Sequence, residues 1–339
     1  MISFIFFFLA SVIFTYFLNY FFKKKKIFLD NISYSKHKKF TQQLNVPFSG
    51  GFLFIFFITF FLNGLSLINI FIFFSIFLLG VFSDLNKITS PIVRIFFQSF
   101  LIIFYILTND IFVSETRIDF LDNFIVQYKI FAVFFTFFCV IVLINGTNFI
   151  DGVNNLASGT FFIAILNIVF LTYFIELNSN DLHIKLLILL SVFMIFNFFS
   201  LSFLGDSGCY ILSFFIGFYL IDFYNVNRSY LSPYYILLLL WYPAFENLFS
   251  IIRRIFFEKK NVKKADNLHL HHLIYKKITK KFGKFKFSNS LTGILINIFN
   301  LIIIIPGNFY YSKTNILLVL VLIGVLSYIS IYLYLRSRI

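Results

Sequence analysis

Residues 201–223 read LSFLGDSGCYILSFFIGFYLIDF, a short polar cluster around Asp206 followed by an almost uncharged run. The run from 207 to 223 is long enough to cross a bilayer, since a membrane-spanning helix needs about 17–25 mostly apolar residues. A carboxylate beside such a run is costly to keep near lipid, so Asp206 is a candidate functional residue. The same combination of an apolar run with a polar end recurs along the chain.

The composition of the 339-residue chain indicates the same class. Hydrophobic residues make up 60% and charged residues 12%, and the mean hydropathy is +0.91, whereas soluble domains carry about 25% charged residues. We predict an all-α polytopic integral membrane protein, a single membrane-embedded domain over residues 1–339 with about eleven transmembrane helices. The predicted spans are centred on 2–22, 50–65, 67–82, 92–108, 128–144, 157–175, 184–200, 207–223, 233–252, 289–305 and 314–335.

Basic residues predict the orientation. If the loop at 23–49 is cytoplasmic, 23 of the 28 Lys and Arg residues fall on that side, which is the bias that membrane proteins show. The N-terminus is then outside and the C-terminus cytoplasmic. Anionic lipid headgroups explain most of the net charge of +14, and no soluble domain is present to bind nucleic acid. We expect one active face, formed by the cytoplasmic loops 23–49, 83–91, 145–156, 201–206 and 253–288.

Two aspartates lie at the ends of predicted spans. Asp84 follows Ser83 at the end of the third span, and Lys87 could pair with Asp84 or bind a phosphate. Asp206 precedes the eighth span. Either acid could cap a helix, or could ligate Mg²⁺, which takes one or two protein carboxylates and completes its shell with water and phosphate oxygens. The residues alone leave both alternatives open.

An asparagine-rich segment follows the fifth span. Asn145, Asn148, Asp151 and Asn155 recur at spacings of three, three and four, which on a helix places them along one stripe. Gly152 permits close approach of a ligand or another backbone. A polar loop with asparagine at its turns is the alternative. A stripe facing one way at a membrane boundary favours a binding role.

The densest polar cluster lies near residue 270. Three of the five histidines fall within four residues: His269, His271 and His272. Imidazoles titrate near neutral pH and can bind phosphate oxygens. A zinc site is the alternative, but neither cysteine is near. Asp266 belongs to the same cluster, and Glu246 lies about two helical turns before Arg253, so an ion pair and a substrate contact are both open there.

Together these segments resemble the polyprenyl-phosphate N-acetylhexosamine-1-phosphate transferase family, which starts the synthesis of peptidoglycan lipid, teichoic acid, enterobacterial common antigen and O-antigen. The matching motifs occur in family order: Pro47 with Gly50-Gly51, Ser83-Asp84, Asn145 to Gly152, Phe203 to Gly208, and Arg253-Arg254 followed by Asp266 and His269 to His272. Ser83 and Asn154 stand where relatives usually carry acids. A catalytically impaired relative is therefore one alternative.

The resemblance implies transfer of N-acetylhexosamine-1-phosphate from a UDP-sugar to undecaprenyl phosphate, giving sugar-diphosphate-undecaprenol and UMP. It implies a bacterial plasma membrane protein with a cytoplasmic active site, and Mg²⁺ as cofactor with Mn²⁺ as a substitute. The expected partners are a UDP-N-acetylhexosamine such as UDP-N-acetylglucosamine, undecaprenyl phosphate and membrane lipids; the oligomeric state is open, a homodimer included. The rival function is a transporter or flippase for a lipid-linked solute, which would need polar residues at mid-membrane.

Within that reaction each candidate residue has an expected role. The expected catalytic residues are Asp84, Asp151, His271 and His272. The expected substrate-binding residues are Lys87, Asn148, Asn155, Arg253, Arg254 and His269. The expected metal ligands are Asp206 and Asp84, although Asp84 could instead orient the attacking lipid phosphate.

Overall fold

The computed structural model describes residues 2–30, 45–61, 64–175, 181–257 and 268–338. This part of the chain is α-helical, with no strand and one isolated bridge between Leu29 and Pro47. The helices are α1 (Ile2–Lys25), α2 (Gly50–Phe61), α3 (Leu67–Asp84), α4 (Pro91–Asn109), α5 (Asp119–Gln127), α6 (Lys129–Ile150), α7 (Leu156–Phe174), α8 (Asp181–Phe198), α9 (Gly205–Asn227), α10 (Pro233–Ile252), α11 (Leu270–Phe282), α12 (Ser288–Ile304) and α13 (Thr314–Arg336). A π-helical turn, Arg253–Phe257, continues α10.

Ten of the described helices are long and apolar enough to cross a membrane. They account for every predicted span except 50–65, where α2 has only 12 residues. A helix of that length extends about 18 Å, while the hydrocarbon core of a bilayer is about 30 Å thick. Phenylalanine pairs hold α2 antiparallel to α1: Phe7 with Phe57 at 4.9 Å, and Phe22 with Phe52 at 5.0 Å between ring centroids. Within the described residues, ten helices therefore reach full spanning length where the sequence predicted about eleven.

Helix α9 lies at the centre of the bundle. In its candidate span 78% of the residues are buried, compared with 22% for α1 and for α13. Its contact with α3 is close at Gly80, where a Cβ would overlap the backbone of Ser207. Small residues permit this approach between membrane helices, and it brings the end of α3 against the first turn of α9.

One end of the bundle gathers the polar clusters. There the end of α3 bonds to the first turn of α9, and the turn before α7 bonds to α8 and α12. The segment before α11 packs on the end of α6, with the rings of Phe149 and His269 5.4 Å apart. We name this the motif end, defined by Asp84, Asp206 and His269. Segments that are far apart in the sequence contact one another at this end.

Polar bonds between helices also fix the opposite end, which we name the far end. Asn69 and Asn109 join α3 to α4 at 2.8 Å, and Asn308 donates to Asn167 Oδ1 at 2.6 Å. Side-chain amides join membrane helices in this way because no water competes for them. Charged groups act there too, since Arg117 donates to the backbone carbonyls of Ser312 and Leu231 at 2.9 Å each. The far end, however, carries none of the histidine cluster that marks the motif end.

Two of the described helices fall in predicted loops. α5 lies in a loop predicted to be outside the membrane, and α11 lies within the predicted loop 253–288. α6 also continues to Ile150, so the predicted loop 145–156 shrinks to a short turn. The longer α6 and the additional α11 shorten the connections at the motif end.

Candidate active site

Asp84 caps the first turn of α9. Its Oδ1 accepts a hydrogen bond from the backbone N–H of Asp206 at 2.8 Å, and its Oδ2 accepts from the backbone N–H and hydroxyl of Ser207 at 3.0 and 2.8 Å. A carboxylate at a helix N-terminus is stabilised by the unpaired N–H groups and by the helix dipole. Both oxygens of Asp84 are therefore engaged in holding α9 against α3.

Asp206 lies between side chains of α3 and α4. Arg94 Nη1 is 3.0 Å from Asp206 Oδ2 and 2.9 Å from Ser83 Oγ, and the Ser83 hydroxyl donates to the same Oδ2. The side chains of Asp206 and Arg94 are 25% and 23% exposed. Asp206 Oδ1 has no hydrogen-bond partner among the described residues. One oxygen of Asp206 is therefore available to a ligand.

Sequence reasoning missed Arg94, which entered only the count of basic residues. The signal was present, because Arg94 is a lone arginine in the first turns of the apolar helix α4. Cations inside membrane segments are rare and face a polar partner. The identity of that partner, Asp206, required the fold, since the two residues are 112 positions apart.

The asparagine-rich segment bends where a straight helix was predicted. α6 ends at Ile150 with Asp151 as its C-cap, and Asn155 has a left-handed φ of 62° just before α7. The predicted stripe from Asn145 to Asn155 on one helix is therefore wrong. The physical reason is that the chain must reverse direction between α6 and α7, and asparagine tolerates positive φ better than most residues.

Asn154 and Asn155 fix this turn to neighbouring helices. The Asn154 side chain donates to Ser200 Oγ at 2.8 Å, and the Asn155 N–H donates to Asn197 Oδ1 at 2.6 Å. The Asn155 carbonyl accepts from Asn297 at 2.6 Å. The Asn155 Oδ1 atom is buried and has no partner among the described residues. The backbone of Asn155 therefore holds the turn against α8 and α12. The predicted contact of its side chain with a substrate stays a prediction.

Three other predicted residues lie at the surface of the motif end. Asn148 and Asp151 are half-buried at the end of α6. Lys87 is exposed, with its Nζ 5.8 Å from the centre of the Phe82 ring, and it forms no ion pair within the described chain. All three are accessible to a ligand, and their roles stay predictions.

The histidines pack ring against ring. The rings of His269 and His271 are 5.5 Å apart and nearly parallel, and those of His271 and His272 are 4.2 Å apart. All three are buried, and a Cβ on Gly152 would overlap His271 Nε2. The histidines therefore lie directly on the turn between α6 and α7. Asp266, from the same sequence cluster, lies outside the described residues.

Arg253 and Arg254 occupy the π-helical turn after α10. They are 2% and 8% exposed, unusually buried for arginine. The Arg253 guanidinium lies 5.8 Å from the centre of the Tyr332 ring of α13. α13 thus helps to hold Arg253 in place. Contacts of either arginine with a substrate stay predictions.

The buried His271 makes stability depend on pH. Burial lowers the pKa of His271 well below its ordinary value, and the neighbouring His272 and His269 lower it further. Below about pH 6.5 the unfolded chain binds a proton that the folded chain does not, so the free energy of unfolding falls as the pH falls. We expect the Tm of the purified protein to drop between pH 7 and pH 5, and less so in His271→Asn. An equal drop in both proteins, measured by scanning fluorimetry, would contradict this assignment.

The donor set fits a lightly ligated magnesium ion. No group of three or more His, Cys, Asp or Glu side chains in the described ranges could hold a metal. Mg²⁺ needs only one or two protein carboxylates, because water and phosphate oxygens complete its shell. Asp206 offers an oxygen, whereas both oxygens of Asp84 accept hydrogen bonds from α9. The residues present therefore fit Mg²⁺ bound through Asp206.

Residues 65–224 match the family model for glycosyl transferase family 4. The matched segment contains Asp84, Asp151 and Asp206, and the histidine cluster lies beyond its C-terminal limit. A search of curated proteins found no match. The family match confirms the resemblance for the motifs that lie within residues 65–224, namely Ser83-Asp84, Asn145 to Gly152 and Phe203 to Gly208. With ten candidate spans, it indicates a multi-pass membrane sugar-phosphate transferase.

Proposed function

We propose that this chain, from its glycosyl transferase family 4 segment and its motif end, transfers N-acetylhexosamine-1-phosphate from a UDP-sugar to undecaprenyl phosphate. The products are sugar-diphosphate-undecaprenol and UMP, which makes this the first step of a cell-surface polysaccharide pathway. The observation that carries the proposal is the gathering of Asp84, Asp206, Arg94 and the histidine cluster at one end of a membrane bundle.

A site at the end of the bundle suits two substrates of different solubility. The acceptor phosphate lies at the bilayer surface, while the nucleotide sugar arrives from water. Asp84 ends α3, Asp151 caps α6, and Asp206 is in the first turn of α9. A transporter would need such groups at mid-membrane. Their position at helix ends favours the transferase.

In the proposed reaction Asp206 is the residue that would hold Mg²⁺, through the oxygen that does not face Arg94 and Ser83. The bound ion would neutralise the diphosphate and stabilise the leaving UMP. Arg94 orients the Asp206 carboxylate and adds a positive charge beside the phosphates. Asp84 fixes the first turn of α9, and with it the backbone that carries Asp206.

The remaining polar groups would bind substrates. The acceptor phosphate has a second pKa near 6, so it needs little deprotonation before attack. His271 and His272 would contact the transferring phosphate, with His269 and the two buried arginines contacting the diphosphate and the sugar. The nucleotide would be bound by Asp151, Asn148, the side chain of Asn155 and Lys87.

We place the motif end in the cytoplasm of a bacterial plasma membrane. This side carries 23 of the 28 Lys and Arg residues when the chain is oriented by its basic loops. It is also the side on which a cytosolic nucleotide sugar arrives. The positive loops would raise the local concentration of an anionic donor.

Ser83 and Asn154, which stand where relatives usually carry acids, are compatible with an active enzyme. Ser83 donates its hydroxyl to Asp206, and the Asn154 side chain donates to Ser200. An ionised aspartate at either position could not donate, so both residues have a defined bonding role in this fold. We therefore favour an active enzyme over an impaired relative. Activity found only in Ser83→Asp would reverse that preference.

A product assay tests the proposal. Purified protein is incubated with undecaprenyl phosphate, Mg²⁺ and a panel of UDP-N-acetylsugars labelled either in the sugar or in the phosphate next to it. We expect both labels in the lipid fraction and UMP in the water phase. Transfer of the sugar label alone, with release of UDP, would contradict transfer of a sugar phosphate. No lipid product with any donor would contradict the proposed reaction.

Gly152→Ala is expected to lower the transfer rate about a hundredfold, because its methyl group would displace His271 from the turn it packs on. Initial rates at saturating substrates measure the effect. Gly217→Ala is the matched control, since a Cβ there meets only the flexible end of Leu143, at 3.0 Å. Equal rates for the Gly152→Ala variant and wild type would show that the position of His271 does not matter to transfer.

A further inference from the structure

Glu246 connects the histidine cluster to the last helix. This α10 residue is 1% exposed, and its Oε1 lies 2.9 Å from His269 Nδ1. Its Oε2 accepts a hydrogen bond from the Tyr328 hydroxyl of α13 at 2.7 Å. His269 and Tyr328 are 6% and 0% exposed. Three segments thus meet at one buried carboxylate.

The burial of Glu246 dictates which ring nitrogen of His269 carries a proton. A carboxylate away from water is costly unless donors satisfy its oxygens. Tyr328 supplies a donor to Oε2, and the histidine can satisfy Oε1 only as an Nδ1–H donor. With Glu246 ionised, the alternative tautomer would place two acceptors 2.9 Å apart. The geometry therefore selects protonated Nδ1.

We propose that Glu246 is a positioning residue that holds His269 with Nδ1 protonated, and that Tyr328 positions Glu246 in turn. Under the proposed function, Nε2 is the ring nitrogen through which His269 would contact the substrate. The assignment of that substrate, a phosphate oxygen of the nucleotide sugar or of the lipid, rests on the proposed function. The tautomer itself rests only on the contacts of Glu246.

A fixed His269 gives the site a defined proton donor or acceptor. When Nε2 is unprotonated it accepts a hydrogen bond, and when it gains a proton the Glu246 carboxylate stabilises the resulting imidazolium. The ring also lies 5.4 Å from Phe149 and 5.5 Å from His272, so its plane is held by neighbours from both sides of the cluster. Glu246 acts through His269 and does not itself touch the substrate.

The two positioning residues and the histidine they hold lie outside the family-matched segment. Glu246, Tyr328 and His269 all follow residue 224, where the match ends. Tyr328 stacks parallel to Tyr332 at 6.3 Å, and Tyr332 in turn faces the buried Arg253. The last helix α13 therefore supports two candidate substrate-binding residues without contributing one of its own.

Nitrogen NMR of histidine-labelled protein tests the tautomer without reference to activity. The chain has 5 histidines, and His269→Gln identifies the resonances of His269. We expect protonated Nδ1 in the wild type, and loss of that preference in Glu246→Gln. A wild-type His269 protonated only at Nε2, or a spectrum that Glu246→Gln leaves unchanged, would overturn the proposal.

Kinetics tests the consequence for transfer. We expect Glu246→Gln to lower kcat about a hundredfold, and Tyr328→Phe about fivefold, with KM nearly unchanged and the pH profile shifted in both. The double variant Glu246→Gln with His269→Gln should be no slower than His269→Gln alone. Tyr235→Phe is the matched control, because it also removes a fully buried hydroxyl bond, to Asn308 at 2.6 Å, at the far end.

The two proposals can fail separately. A wild-type protein that transfers no sugar phosphate but shows the expected tautomer would refute the proposed function and retain the positioning of His269. An active wild type whose kcat and pH profile survive Glu246→Gln would overturn the positioning role and retain the function. A loss in the Tyr235→Phe control as large as in Tyr328→Phe would also overturn it, since general destabilisation would then explain both.

Discussion

Asp206→Asn is expected to lower the transfer rate about a thousandfold while leaving the protein folded. The asparagine keeps the shape of the side chain and can still accept a hydrogen bond from Arg94. It loses the charge that would hold Mg²⁺ and leaves Arg94 beside a neutral group. Because the Arg94 side chain is itself 23% exposed, its charge keeps contact with water in the variant, and the cost to stability is small compared with the loss of rate. Initial rates and Tm, measured on the same preparation, check both parts.

A matched control lies on the same helix. Asp222→Asn makes the identical change at an exposed position of α9, at the far end, and should leave the rate within about twofold of wild type. A Mg²⁺ titration adds a second measurement, since Asp206→Asn should raise the concentration needed for half-maximal activity. If the variant kept more than about a tenth of the wild-type rate, Asp206 would not carry the charge stabilisation assigned to it.

The sequence could predict that the acids lie at one end of the bundle, because this depends only on the number of membrane crossings between them. Successive membrane helices alternate in direction, so the end of one run and the start of the next share a side. The short α2 does not disturb this count. Gly51 in the first turn of α2 and Asp84 at the end of α3 both lie against the first turn of α9, at Ser207.

The partners of the acids could not be predicted, because they depend on which helices are neighbours. Apolar runs bury against lipid and protein alike, and their composition says little about lateral order. The pair of Arg94 with Asp206 joins α4 to α9, and the pair of Glu246 with Tyr328 joins α10 to α13. The sequence offered Arg253 as one partner for Glu246, and the fold supplies His269 and Tyr328.

The turn before α7 shows a second limit. Spacings of three and four predict a shared helical face only if the helix continues. Asn155 instead takes a left-handed φ, and its backbone bonds to Asn197 and Asn297. Asparagine is typical both of a polar binding face on a helix and of a turn that reverses the chain. Only the long-range partners distinguish the two.

Asp84→Ala is expected to lower the free energy of unfolding by about 3 kcal/mol, because three donors at the start of α9 lose a charged acceptor. The transfer rate should also fall, by more than about a hundredfold, since Asp206 lies in the helical turn that Asp84 caps. Ser207→Ala removes only the hydroxyl donor and should cost about 1 kcal/mol. Tm and initial rates of the two variants and of their combination measure the coupling.

The relation between these losses decides the role of Asp84. If Asp84 acts as the cap of α9, stability and activity fall together, and Ser207→Ala has almost no further effect in the Asp84→Ala background. An Asp84→Ala protein with unchanged Tm and no activity would instead assign Asp84 to the metal or to the acceptor phosphate. A cap cannot be removed without loss of stability, whereas a ligand can, because the empty protein does not depend on a contact made only with its substrate.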